Sequence, residues 1–153
     1  MSDDLKAGHD HEAGRPRRKL PLIVLIVIVV VVGMLGAVAV PNFVVMQNRA
    51  KEGSTKANMY VVQLAAEDYW VMHNGIYAPD AEALMNLLPG SGRIANAFTR
   101  ERTEPRTGAA TAESPPGSVW YRPLRDTSGV VVNYLIEGAG WSGALTLVLT
   151  SHP

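Results

Sequence analysis

No cysteine occurs among the 153 residues, which excludes disulfides, thiolate metal sites and a cysteine nucleophile. An excess of charge is missing too: Lys and Arg together number 14, as do Asp and Glu. Such a balanced chain has no general attraction for nucleic acid, and no basic stripe interleaved with aromatics runs through it. There is no phosphate-cradling glycine loop, since Gly90-Ser91-Gly92 lacks the required context. Nor is there a G-x-S-x-G nucleophile elbow. Glu67-Asp68 is an adjacent pair on a helical stretch, and neighbours on a helix point to different faces. Asp126 and Glu137 are too sparse for an oxygen cage around a cation. His73 and His152 read as surface residues, and His9-Asp10-His11-Glu12 as solvated tail rather than a metal tract. The expectation is a protein that is not an enzyme, with no catalytic, metal or cofactor-binding residue and no cofactor.

What is present is one long apolar run. Leu20–Val40 holds 21 residues without a charge, and the next charge is Arg49. At a rise of about 1.5 Å per residue the run reaches roughly 30 Å, the thickness of a bilayer's hydrocarbon core. In lipid the backbone must satisfy its own hydrogen bonds, so a helix is expected despite the many valines. Arg15, Arg17, Arg18 and Lys19 lie directly before it. The positive-inside rule keeps these four cations in the cytoplasm and sends the rest across the membrane. The expected location is the inner membrane, single-pass, with the C-terminal domain on the periplasmic, extracytoplasmic side. A cleavable signal ending at Gly36-Ala37-Val38-Ala39 is a competing reading, although its apolar region would be shorter. Gly33 and Ala37 are four apart and share a face where a second helix can approach closely. Pro41 is expected to kink or locally melt the helix if it continues.

It is expected to continue to residue 74. Val61, Val62, Leu64, Ala65, Tyr69 and Met72 recur at helical spacing, and Lys51, Glu52, Lys56, Gln63 and Glu67 fall elsewhere. Asn74-Gly75 is a stop signal. Asp80 can cap a short helix over 81–88, whose Leu84, Leu87 and Leu88 would pack on the long one. Pro89-Gly90-Ser91-Gly92 ends it, and Gly92 to Gly117 reads as a long surface loop. Residues 118–122, 130–136 and 144–150 read as antiparallel strands, joined by 125–129 and by 138–143. Trp120, Tyr121, Tyr134 and Trp141 are expected to pack on the sheet. The fold class is α+β, a lollipop with a helical stem and a small sheet on its outer half. The divisions are 1–19 basic tail, 20–40 membrane helix, 41–74 amphipathic helix, 75–117 short helix and loop, and 118–153 sheet.

Gly33, Ala37-Val38-Ala39-Val40-Pro41-Asn42-Phe43 and Met46-Gln47-Asn48-Arg49-Ala50-Lys51 resemble the type IV pilin family, most of all the major pseudopilin of type II secretion systems. Ala57-Asn58, Gln63, Tyr69 and Asn74-Gly75-Ile76-Tyr77 extend the likeness, which is good over 20–77 and fold-level beyond. The resemblance implies a structural subunit that is trimmed by a prepilin peptidase and assembled into a filament through its N-terminal helix. Its partners would be the membrane, other pilin-like subunits, copies of itself among them, and the secretion or pilus machinery. The family often holds calcium near its strand connections, but the acids here are too few for a site to be expected.

Two positions depart from the family. Where it has a glycine and an aromatic or methionine at the processing site, this chain has Lys19-Leu20. Where it has a glutamate in the apolar helix, this chain has Val24. Both point to an unprocessed chain: without cleavage no terminal amine needs a partner, and an unpaired acid at membrane depth would cost a few kcal/mol. Two other readings stay open, a single-pass pilin-like module that binds a partner without polymerising, and a domain released after Ala39.

Overall fold

The computed structural model describes residues 21–151. The basic tail, with Arg15, Arg17, Arg18, Lys19 and the His9–Glu12 tract, lies outside them, as does His152. The chain divides into two compact units between Val40 and Pro41.

Helix α1 spans Leu22–Met72. The expected melting at Pro41 does not occur, because α1 is helical on both sides of it. Proline removes one donor there and leaves every other hydrogen bond of the ladder possible. The helix ends as its sequence proposes: Asn74 (φ 54°) and Gly75 (φ 85°) take left-handed backbone, and the Gly75 amide donates to the Trp70 carbonyl at 3.0 Å.

In the unit that begins at Pro41, a four-stranded sheet has the order β3-β4-β5-β6, with β3 Arg106–Thr107, β4 Val119–Arg125, β5 Val131–Gly140 and β6 Gly143–Thr150. The pairs β4–β5 and β5–β6 are antiparallel hairpins; β3 lies parallel to β4, with Arg106 opposite Trp120. The sheet is therefore mixed, where three antiparallel strands are expected from the sequence. Alternation places Val119 and Tyr121, then Tyr134 and Ile136, then Leu149 in the core. Against them α1 buries Thr55, Met59, Val62, Ala65 and Ala66, a stripe at helical spacing.

Two residues of the expected stripe are not in it. Leu64 and Met72 are 64% and 65% exposed. The sheet covers a narrower arc of α1 than the apolar positions mark out, and Thr55 and Met59 lengthen the buried stripe toward the helix N-terminus instead.

After α1 the Asp80 carboxylate accepts from the Ala83 amide at 2.9 Å, as a cap should, but the helix it opens is a 3-10 helix, Glu82–Leu87. Pro89-Gly90-Ser91-Gly92 does not end it in open loop and instead forms one further helical turn. The segment 92–117 is not irregular throughout either. It contains a two-stranded ladder of β1 Ile94–Ala95 with β2 Arg102–Thr103, as well as β3. Its organiser is Asn96, which is buried. The Asn96 side chain donates to the Pro116 carbonyl at 2.9 Å and accepts from the Phe98 amide at 2.8 Å. Polar groups thus hold a stretch that has few apolar residues with which to collapse.

Candidate assembly and membrane-facing surface

From Leu22 to Met46 the large apolar side chains of α1 are exposed, and none of its most apolar stretch is buried. A run of bare apolar surface this long is unstable in water. The helix is long and apolar enough to be a single membrane span. Gly33 and Ala37 are exposed on it, and a Cβ built on Gly33 meets nothing within 4 Å, so that face is open to another helix. Val24 is likewise exposed within the apolar run.

What positions α1 against its sheet is a close approach made by glycines. A Cβ on Gly138 would lie 2.8 Å from Met59 Sδ, and one on Gly140 would lie 2.6 Å from Glu52 Oε1. The pairing of β5 with β6 shifts register between Glu137 and Ala139, so Gly138 sits where the strand is also irregular. Polar side chains on the flanks of α1 fasten the edges. Asn58 Nδ2 donates to the Ala95 carbonyl at 2.8 Å, and Gln63 Nε2 to the Thr150 carbonyl at 3.1 Å.

Glu67 was legible in the sequence only as part of an acidic pair on a wet face. Its carboxylate accepts from the hydroxyls of Tyr134 and Tyr77, and Asp68 remains exposed. Tyr121 and Tyr134 are fully buried and stack with ring centroids 5.6 Å apart. Burial pushes both phenols well above their ordinary value; for Tyr134 the hydrogen bond to Glu67 adds to the rise, and for Tyr121 the nearby acidic and phenolic groups do. This cluster joins helix to sheet. Its groups are spent on one another, with the Tyr121 hydroxyl donating to the Ala78 carbonyl at 2.9 Å.

The other acids near the strands are engaged in the same way. Asp126 accepts from the Ser128 hydroxyl and from the Ser128 and Val130 amides at 2.9 Å, which holds its carboxyl below the usual range. Glu137 takes Arg122 on one oxygen at 3.1 Å and the Ala110 amide on the other at 2.9 Å. Among the described residues no three acidic or histidine side chains converge on a common point. His73 is exposed and lies flat on Tyr69 at 3.7 Å.

The expected packing of four aromatics on the sheet holds for the two tyrosines. Trp120 is half-buried beneath the Arg106 guanidinium, which sits 5.5 Å from the ring. Trp141 is a correction: it is 63% exposed. The link between the strands is shorter than the expected 138–143: β5 runs on to Gly140, β6 begins at Gly143, and Trp141 and Ser142 alone make the turn. The two-residue tip carries the indole past the end of the sheet, beside Val44, Val45 and Glu52 of α1, and the Trp141 amide donates to the Glu52 carboxylate at 3.2 Å. The glycines on either side were the available signal, since Gly143 takes φ 126°, a conformation that favours glycine at a tight turn.

No family model matches this chain, and comparison with curated proteins and with solved structures found no match. The architecture, a long N-terminal apolar helix packed on a C-terminal β-sheet, is pilin-like.

Proposed function

We propose that this protein is a non-catalytic structural subunit of a pilin-like filament, of the type II secretion pseudopilin or type IV pilin kind. It assembles in the inner membrane through its hydrophobic N-terminal helix, with the sheet-bearing unit on the extracytoplasmic side. The observation that carries this reading is the division of labour along α1. Its Leu22–Met46 stretch is apolar and exposed, while its later turns are packed under a sheet. Apolar surface on all sides, together with the open Gly33–Ala37 face, suits first a bilayer and then a bundle of like helices.

A second reading is favoured by Lys19 and Val24. An unprocessed chain stays in the membrane as a single-pass module and binds a partner without polymerising.

The chain has no cysteine of its own, so Gly33→Cys and Ala37→Cys can be crosslinked one at a time in native membranes. Dimers formed through either position support the filament subunit. Monomers at both, from a protein that is present and membrane-bound, support the second reading. The intact mass decides processing separately, because a chain beginning at Leu20 has been cleaved.

A further inference from the structure

The unit that begins at Pro41 has nine Lys and Arg against ten Asp and Glu, yet its positive charge is not spread evenly. Arg93, Arg102 and Arg106 line one open recess of about 410 Å³, together with Thr103, Glu104 and Pro105. Strand pairing brings them there. In the β1–β2 ladder Ala95 lies opposite Arg102 and Ile94 opposite Thr103, so Arg93 meets Glu104 at the ladder's end. The buried Pro105 then leads straight into β3, whose first residue is Arg106.

Each guanidinium is held in place, and little of its charge is answered. Arg93 donates from Nε to Glu104 Oε1 at 3.2 Å, which leaves its two terminal nitrogens over. Arg102 gives Nη1 to the Gly90 carbonyl at 3.1 Å, a neutral partner. Arg106 sits over the Trp120 ring, 5.5 Å from its centre, and that partner is neutral too. Glu104 is the one acid on the wall, so three positive charges face one negative. Thr103 adds a further unmet group, because its enclosed hydroxyl has no hydrogen-bond partner among the described residues. Negative charge and acceptors are what the recess is short of.

Two surplus positive charges set the ligand class. A carboxylate brings a single negative charge, whereas a phosphomonoester brings about 1.5–2 at neutral pH, with three acceptor oxygens. Guanidinium forks match phosphate oxygens in pairs. The volume suits a small molecule, whose sites run to about 300–1,000 Å³.

We propose that the recess of Arg93, Arg102 and Arg106 is a binding site for a phosphate dianion, either the free ion or the head of a small phosphomonoester. Arg102 and Arg106 take its oxygens, and Arg93 flanks it on the Glu104 side. The bound ion ties the β1–β2 ladder to β3 in a stretch that has few apolar residues to hold it. The site lies wholly within the sheet-bearing unit, does not depend on how α1 assembles, and goes beyond the function proposed above.

The test is a titration of the full chain in a non-ionic detergent, followed by heteronuclear NMR of the backbone amides and the arginine Nε–H groups. Sodium phosphate, glycerol phosphate and sodium acetate are added separately at constant ionic strength, with chloride as the balancing anion. Phosphate or its ester should give saturable shifts confined to 93–95 and 102–107, with acetate several-fold weaker. Saturation by inorganic phosphate assigns the free ion, and saturation by glycerol phosphate alone assigns the ester. Arg102→Gln and Arg106→Gln, both at exposed side chains, should each weaken binding several-fold. Arg125→Gln, outside the recess, should leave it unchanged. Shifts that never saturate, shifts that acetate reproduces at equal concentration, or full affinity in the double variant of Arg102 and Arg106 would each overturn the site.

Discussion

Raising the pH should unfold the sheet-bearing unit through two tyrosines. Tyr121 and Tyr134 are fully buried, one donating to the Ala78 carbonyl and the other to the Glu67 carboxylate. Burial is the main cause that raises both above the ordinary value of 10.0. The folded state keeps these protons at a pH where the unfolded chain has lost them. Their contribution to stability is therefore complete below pH 10 and falls as the pH rises above it. Each phenol loses about 1.4 kcal/mol per pH unit, so the two together lose roughly 5 kcal/mol by about pH 12. A small domain has only about 5–15 kcal/mol to lose. The assay is a pH titration of the full chain in a detergent without ester bonds, following tyrosinate absorbance and near-ultraviolet circular dichroism together. The late tyrosinate signal should rise in step with the loss of the near-ultraviolet signal. Tyr134→Phe should halve the alkaline slope and lower stability at neutral pH by about 1–3 kcal/mol through its lost hydrogen bond to a charged group. If all five tyrosines ionise near pH 10 while the near-ultraviolet signal persists, the reasoning is wrong.

Two substitutions probe the rest of that unit. Asn96→Ala removes the bonds to Pro116, Phe98 and Thr99 and leaves their backbone groups without partners. The cost should be about 2–3 kcal/mol, read as a lower denaturant midpoint, with faster hydrogen exchange at 96–117 before the sheet itself opens. Gly138→Val drives its side chain into Met59, which is fully buried and has no room to withdraw. A loss of about 1–3 kcal/mol is expected from overpacking; pairing it with Met59→Ala should recover part of that, and an unchanged midpoint for Gly138→Val alone would mean that helix and sheet are not in close contact there.

Periodicity carries furthest where one solvent acts alone. The apolar run packs against nothing else among the described residues, so length and charge suffice to read Leu22 onward as a helix fit to span. The β-strands read well because alternate residues face α1, as Tyr121 and Tyr134 do. Legibility fails where the partner is distant in sequence. Glu67 gives no hint that it will meet Tyr134, and Leu64 gives none that it will miss the sheet. The strands β1, β2 and β3 are two residues each and carry no periodicity; Asn96 and Glu137, which pin that region, look like ordinary loop and strand-end polar residues. Trp141 departs from its expected packing for a related reason. Its type favours burial, but a turn of only two residues leaves an indole outside.

The chain's ends of charge then bear on what the helix can do. On the proposed topology, with the Lys19–Leu20 bond intact, the four cations Arg15, Arg17, Arg18 and Lys19 would be held on the cytoplasmic side of the apolar run. Drawing an arginine or lysine through the middle of a bilayer costs about 2.5–3.5 kcal/mol even on the lowest scale. Four of them make roughly 10–14 kcal/mol, far more than one helix–helix contact in a membrane returns. On that reading an uncleaved subunit would stay where it is inserted, which is the second reading proposed above. Cutting that one bond would remove the four charges at a stroke, and on the filament reading proposed above it would free the same helix to leave the bilayer. Val24 fits the uncut state, since an acid at that depth would have no freed amine to pair with.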